Sequence, residues 1–360
     1  MTKNRPIYEL PGESWLLPVV FVVPLGVIAA AAEFSGSAVV ASMVIEAYIR
    51  VIAVVAIYIF VGNSGVMSYG HVAFMGIGAY ASAWQTCCVS MKPIVMPGLP
   101  EFLQTADWPV VPSALSASLL ATFVAFLAGL IIMRLENVAA AIATFALLFI
   151  FNSVYANWTN VTMGVSSMIG LPTYITPLYT WIWVAAAVVV AFFFQNSVWG
   201  IQLRATREEP TAALASGVHP IFLRVVAFTI SGFFAGMAGV ILGHYLGTLS
   251  VDTFFLDTTF LLLAMLIIGG MRSLSGAIVG ALAVSLIEDT LSRLQVGFDI
   301  GGIEVGLPVG SVEIGIALTM LLILIFRRDG LMGGHELDLT WLQSLYRSAQ
   351  ANEHSSVTDR

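Results

Sequence analysis

An all-α membrane protein of about ten transmembrane helices is the fold class that this sequence predicts. Three observations carry that reading. Hydrophobic residues make up 59% of the chain and charged residues only 10%, with a mean hydropathy of +0.94, whereas a soluble domain carries about 25% charged residues. Apolar runs of spanning length recur, and about 20 apolar residues cross a bilayer as a helix that satisfies its own backbone. The few basic residues fall at alternate ends of these runs, as the positive-inside rule requires.

Taken in order, the expected spans lie near 15–33, 38–61, 65–86, 112–133, 137–155, 178–198, 222–248, 254–271, 274–295 and 309–326. The first run follows Lys3 and Arg5 and ends on Ala30, Ala31 and Ala32, which resembles a signal-peptidase site. Glu9 and Glu13 interrupt the basic region and the run exceeds a signal core, so a retained first helix is expected. Gly62, Gly65, Gly70, Gly76 and Gly78 mark the second-to-third junction as a candidate broken or re-entrant helix. With the N-terminus inside, Arg134, Arg204, Arg207, Arg224, Arg272, Arg327 and Arg328 all fall on the inner side, and Lys92 is the outer exception. Tyr179, Trp181 and Trp183 fit an aromatic belt at the outer end of the sixth span. The expected organisation is a cytoplasmic N-terminus (1–14), a transmembrane domain (15–333) with a cytoplasmic loop near 199–221, and a cytoplasmic tail (334–360).

The formal net charge of −7 leaves no electrostatic footprint for nucleic acid. Cys87 and Cys88 are adjacent, a spacing that strains a disulfide, and they form no metal-ligand pattern with histidine. The two lysines, Lys3 and Lys92, end no phosphate-binding GxxxxGK[ST] run, so no ATPase site, metal site or catalytic residue is expected in this chain. Asn157-Trp158-Thr159 and Asn160-Val161-Thr162 are glycosylation sequons by pattern alone.

Ionisable residues inside spans are expensive, and each is a functional candidate. Glu46 and Arg50 stand four apart on the second span, and Asp289 and Arg293 repeat that spacing on the ninth beside Glu288. They are either self-neutralised structural pairs or relay groups of an ion-coupled carrier. His71 and His244 are either packed hydrogen-bonding residues or substrate contacts.

The inner loop from Leu203 to Gly217 carries Arg204, Arg207, Glu208, Glu209, Pro210, Ala212, Ala213, Leu214 and Ala215. Pro210 suits a first helical position and Gly217 a stop, and the two glutamates favour the positive end of the helix between them. A short helix of about two turns is expected, with small side chains that let a partner approach closely. A solvated connector is the plainer alternative.

Four segments, Ser68 to Tyr80, Leu203 to Gly217, Ala227 to Gly239 and Gly269 to Ala281, carry ordered motifs by which the chain resembles branched-chain amino acid ABC transporter permeases of the LivM type. Residues 68–80, from Ser68-Tyr69-Gly70-His71 through Phe74 to Gly78-Ala79-Tyr80, resemble the family's SxGHxAFxGxGAY segment. Leu203 to Gly217 resembles its LRAxRExxxAAxxxG coupling segment. Ala227-Phe228 through Ala238-Gly239 resembles its AFxxSxxxAGxAG helix. Gly269-Gly270, Ser273-Leu274, Gly276 and Gly280-Ala281 resemble its GGxGSLxGPxxGA turn. Arg272 and Ala277 replace the usual Gly and Pro, and Thr162-Met163-Gly164 departs from the family's TGGxNG loop.

The resemblance implies an ABC importer permease fold in a bacterial inner membrane, multi-pass, with both termini cytoplasmic. It implies a LivH-like second permease, two cytoplasmic ATPase subunits that use ATP and Mg, and a periplasmic solute-binding protein. The permease itself binds no cofactor. The implied solutes are branched-chain or other small hydrophobic amino acids, amides, urea or small carboxylates. Arg204, Arg207, Glu208, Glu209, Ala212, Ala213, Leu214 and Gly217 become candidates for coupling to the ATPase, and Tyr69, His71, Phe74, Thr162 and Gly164 for the substrate path.

Overall fold

The computed structural model describes residues 16–87, 92–296, 298–300, 303–305, 308, 310–327, 330–333 and 336. The expectations placed on Lys3, Arg5, Glu9, Glu13, Trp15, Cys88, Arg328, the N-terminus 1–14 and nearly all of the 334–360 tail lie outside the described residues.

The chain runs through α1 (Leu16–Phe34), α2 (Ala38–Ser64), α3 (His71–Thr86), α4 (Lys92–Val95), α5 (Glu101–Gln104), α6 (Val110–Ile132), α7 (Asn137–Asn157) and α8 (Thr159–Thr162). It continues through α9 (Pro177–Asn196), α10 (Val198–Glu208), α11 (Pro210–Ala215), α12 (Pro220–Leu246), α13 (Leu256–Gly269), α14 (Leu274–Val296) and α15 (Ser311–Phe326). Two minimal antiparallel pairs stitch loops: β1 (Met168–Ile169) with β2 (Thr248–Leu249), and β3 (Phe298–Ile300) with β4 (Ile303–Val305).

Each of the ten expected spans meets a helix. Eight helical stretches among the described residues are long and apolar enough to cross a membrane. The other two, α3 and α15, have 16 residues each, short of the roughly 20 that a full crossing needs. For α3 the reason is the glycine-rich junction. Gly65 takes a left-handed conformation that ends α2 (φ +72°), and helix resumes only at His71. The third span is therefore a helix preceded by six extended or turning residues, not the continuous 65–86 helix.

The centre of the bundle is α2, α3 and α12. Helix α2 is buried without interruption from Val51 to Ser64. Around it α12 packs on α3 and α6, α9 packs on α2 and α1, and α14 packs on α2 and α13. The approach of α12 to α3 depends on glycine. A β-carbon on Gly239 would overlap the Met75 carbonyl, and one on Gly78 would overlap the Gly236 carbonyl. Gly269 meets the Gly276 backbone in the same way where α13 turns into α14. Small residues at such crossings let backbones touch where lipid offers no hydrophobic drive. On the far faces of α6 and α7, Phe123, Ile131, Val138, Ile142 and Ile150 are exposed, as lipid-facing side chains are.

Two side chains of the expected outer side are held by the fold. Lys92 is buried, and its ammonium donates to the carbonyls of Leu103 (3.2 Å), in the last turn of α5, and Ala106 (2.6 Å), just beyond it, where a cation meets the negative end of a helix. Trp181 makes a helix–helix contact. Its indole N–H donates to the Val22 carbonyl (2.9 Å) and its ring lies on Gly26 of α1.

Candidate functional site: the broken helix, the α10–α11 arm and the Arg50 ion pair

The six residues 65–70 place irregular backbone inside the bundle, which membrane proteins tolerate only where protein or a cavity covers it. Here protein covers most of it: Val66, Ser68 and Gly70 are buried, and Gly65 at its start is exposed. His71 is fully buried: Nδ1 shares a hydrogen bond with Ser68 Oγ (2.9 Å) and Nε2 with Ser231 Oγ of α12 (2.9 Å). Ser231 in turn donates to the Phe228 carbonyl (2.8 Å). Phe60, Phe74 and Phe228 enclose the imidazole, with ring centroids 5.5–6.2 Å away. Tyr69 is half-buried. Its N–H donates to Thr144 Oγ1 (3.2 Å) and its ring meets Phe145 edge-on at 5.5 Å.

Thr162 and Gly164 lie elsewhere. The Thr162 hydroxyl donates to the carbonyls of Tyr155 (2.6 Å) and Trp158 (2.9 Å) and accepts the Gly164 N–H (3.3 Å). That turn is joined to the far end of α3, where Trp84 Nε1 donates to the Val161 carbonyl (3.0 Å). Thirteen residues of α3 separate His71 from Trp84, about 20 Å of helix. The structure therefore brings Tyr69, His71 and Phe74 together and keeps Thr162 and Gly164 apart from them.

The short helix expected between Pro210 and Gly217 is α11, and a further helix, α10, precedes it. Ser197 caps α10 by accepting the Gly200 N–H (3.1 Å), and α11 follows after Glu209. The arginines turn inward rather than toward solvent. Arg204 donates to the Gln195 carbonyl (2.6 Å), and Arg207 donates from Nη1 to the Gly62 carbonyl near the end of α2. The Arg207 stem lies on Gly65. Glu208 is not a helix cap: it accepts from Arg207 at 2.8 Å, and that hydrogen bond holds its carboxyl below the usual carboxylate range. Glu209 occupies the N-cap position of α11 without a side-chain bond to its backbone and accepts instead from the Thr211 hydroxyl (2.5 Å). Ala213 is buried against the chain itself, whereas Ala212, Leu214 and Ala215 are exposed. Gly217 takes φ +82°, the left-handed turn expected of a stop residue.

A second tie was not legible in the tail. Glu336 accepts the Leu274 N–H (2.9 Å), the Ser275 N–H (3.1 Å) and the Ser275 hydroxyl (2.8 Å), so its carboxylate caps the first turn of α14. Gln195 reaches Glu336 through Nε2 (3.5 Å) and accepts the Tyr58 hydroxyl (2.8 Å). The bases of α2, α9, α10 and α14 thus meet in one polar network.

The charged residues of the spans pair differently from their spacing. Arg50 contacts Glu288 of α14 at 2.8 Å and Glu46 only at 3.7 Å. No ion pair joins Asp289 to Arg293 among the described residues. Tyr245 of α12 donates its hydroxyl to Glu46 (2.8 Å). His244 bonds to Ser82 Oγ (2.8 Å) and the Pro172 carbonyl (3.0 Å), a packed role like that of His71.

Residues 39–326 match the family model described as branched-chain amino acid transport system / permease component. The chain belongs to this family. The permease is 25% identical over 331 residues to the high-affinity branched-chain amino acid transport system permease protein LivM of Escherichia coli K12, covering 80% of this chain and 74% of that protein. The LivM protein of Salmonella typhimurium LT2 is 25% identical over 334 residues, with the same coverage. The autoinducer 2 import system permease protein LsrC of Salmonella paratyphi B is 24% identical over 197 residues, 51% of this chain and 57% of that protein. No solved structure matches. The permease is a multi-pass membrane protein of transport-subunit kind, and its matched region contains the broken helix, α10, α11 and the Arg50 ion pair.

Proposed function

We propose that this chain is the membrane-spanning permease subunit of an ATP-driven importer for branched-chain or other small hydrophobic amino acids or related small solutes. It resides in the bacterial inner membrane with both termini cytoplasmic, beside a LivH-like second permease. Two cytoplasmic ATPase subunits consume ATP and Mg below it, and a periplasmic solute-binding protein delivers cargo above. The observation that carries the reading is the inner arm: α11 presents Ala212, Leu214 and Ala215 outward while Arg204 and Arg207 bind its supporting helix α10 to the bases of α9 and α2. Such an arm converts ATPase closure into a rigid-body change of the bundle, the two-state motion that alternating access needs. Tyr69, His71 and Phe74 sit at the junction that this motion reaches first. Thr162 and Gly164 belong to the solute-binding-protein side.

The orientation has its own test. A cysteine at Val165, which is well exposed, is expected to react with an impermeant reagent in intact cells. One at Ala212 is expected to react only after the cells are opened. Reaction of the 212 cysteine from outside overturns the topology.

The coupling role is tested in vesicles holding the whole assembly. Leu214→Asp puts a charge on the exposed face of α11 without touching the fold. It is expected to lower stimulation of ATP hydrolysis by loaded binding protein at least tenfold, with normal membrane insertion. Ala213→Trp is the poorer test, because Ala213 is buried and the variant disturbs the arm itself. Full stimulation in Leu214→Asp makes the arm a connector. An ion-coupled carrier is the second reading, favoured by the carboxylates of α2 and α14, and uptake by the chain without ATPase subunits would establish it.

A further inference from the structure

We propose that the first half of α2 and the second half of α14 form the face on which the second permease subunit packs, and that this subunit sets a basic side chain against Glu46 and Asp289. The proposal rests on the importer reading, which supplies a second permease, and adds to it the contact face and the charge that meets it.

The exposed faces of the bundle are of two kinds. All ten exposed residues of α6 are apolar, among them Leu115, Leu119 and Phe123, as contact with lipid requires. Helix α14 differs. Its exposed stripe sets Thr290, Ser292 and Arg293 beside Leu286 and Leu294, and Asp289 flanks that stripe partly exposed. On α2, the Glu46 side chain is 36% exposed.

These groups do not sit at the helix ends. Glu46 lies eight residues after Ala38, where α2 starts, and Asp289 seven residues before Val296, where α14 ends. Those spacings are about 12 and 10 Å of helix at 1.5 Å per residue, inside a hydrocarbon core about 30 Å thick. An ionised side chain at that depth turns to protein or to a water-filled cavity and takes a partner. Lipid is therefore excluded from this face, although it suits the face of α6.

The charges select the kind of protein. Glu46, Glu288 and Asp289 stand against Arg50 and Arg293, three carboxylates to two guanidiniums. Glu288 holds Arg50 at 2.8 Å and leaves Glu46 at 3.7 Å from it. The Tyr245 hydroxyl bonds one Glu46 oxygen but brings no charge. Asp289 is within electrostatic reach of Glu46 and has no ion pair among the described residues. A second copy of this chain would bring the same acidic excess to the contact, and like charges across an interface suppress the wrong partner. A different subunit with a basic residue at this depth removes the excess. Glu46 also borders a cavity of about 280 Å³, with Arg50, Tyr245 and Thr258 on its wall. That space lets a long lysine or arginine side chain reach the carboxylate.

The test uses the complete assembly in vesicles, with the photo-cross-linking residue p-benzoylphenylalanine in place of Thr290. The same group in place of Leu119 on α6 is the control. Irradiation is expected to join position 290 to the second permease subunit, identified by mass spectrometry, and position 119 to lipid. An adduct at 290 with lipid, with this chain itself or with another copy of it overturns the proposal. So does the absence of any adduct at 290 while 119 labels lipid, the mark of a water-filled face. Charge is then tested directly. Asp289→Lys is expected to reduce copurification of the second permease at least tenfold. Changing the basic residue nearest the cross-link in that subunit to Glu is expected to restore it. Full copurification of Asp289→Lys, or no rescue by the reciprocal change, overturns the charge pairing. The cross-link needs no charge variant, so it decides the face even where Asp289→Lys fails to fold. ATP-dependent uptake by the wild-type assembly is scored separately. Its absence sinks the importer reading, whereas uptake together with lipid adducts at 290 sinks only this face.

Discussion

Gly239→Val is expected to leave little folded protein in the membrane. The Met75 carbonyl occupies the place of the new β-carbon, and it is helical backbone that cannot swing aside as a side chain can. Relief requires α12 to move away from α3 along their whole crossing, which also opens the contacts of Phe74 with Phe228 and of His71 with Ser231. Overpacking a tight core costs about 1–3 kcal/mol even when side chains can adjust, and here the obstruction is main chain. Gly129→Ala is the matched control, because the nearest atom to its β-carbon is a Phe228 ring carbon at 3.3 Å. Thermal unfolding in detergent is expected to show a large loss for Gly239→Val, or no recoverable protein, and a shift of a few degrees at most for Gly129→Ala. Equal stability of the two variants would contradict the close helix crossing.

Arg207→Ala is expected to separate ATP hydrolysis from transport. Its guanidinium spans two elements, donating to the Gly62 carbonyl of α2 and to Glu208 of α10. A hydrogen bond from a charged donor contributes about 1.5–3 kcal/mol, and this one meets the negative end of α2. Its stem also packs on Gly65, where α2 stops and the irregular segment toward His71 begins. Removing it unlinks the arm from the hinge rather than from the ATPase. The expected signature is normal copurification with the ATPase subunits, stimulation by loaded binding protein reduced at least tenfold, and solute uptake reduced in parallel. Arg207→Lys keeps the charge but lacks the fork that reaches both partners, so it recovers only part of the coupling. Unimpaired uptake in Arg207→Ala would remove Arg207 from the transmission route.

The spanning helices were legible because length and hydropathy are local properties, and the glycines at 65 and 70 flagged the one junction where a helix stops early. Helix α10 was not legible. It follows α9 after a single residue, and its polar sequence reads as loop until Ser197 is recognised as an N-cap. The ion pairs show the same limit. Four-residue spacing on a helix singles out Glu46 for Arg50, but the nearer carboxylate belongs to Glu288 on another helix. The burial of Lys92 was not legible, because nothing in a sequence announces that carbonyls at Leu103 and Ala106 will converge on an ammonium. Of the path candidates, Tyr69, His71 and Phe74 cluster because they share one short segment, whereas Thr162 and Gly164 were joined to them only by family likeness.

The carboxylate that caps α14 sets an order on biogenesis. Helix α14 leaves the ribosome with the first-turn N–H groups of Leu274 and Ser275 lacking their acceptor, and Glu336 is synthesised about sixty residues later. The helix is inserted before it can be capped, so its inner end is seated only after translation has passed α15. Until residue 336 has been made, the first-turn N–H groups of Leu274 and Ser275 lack the acceptor they have in the folded chain. A chain cut short before Glu336 remains at that stage.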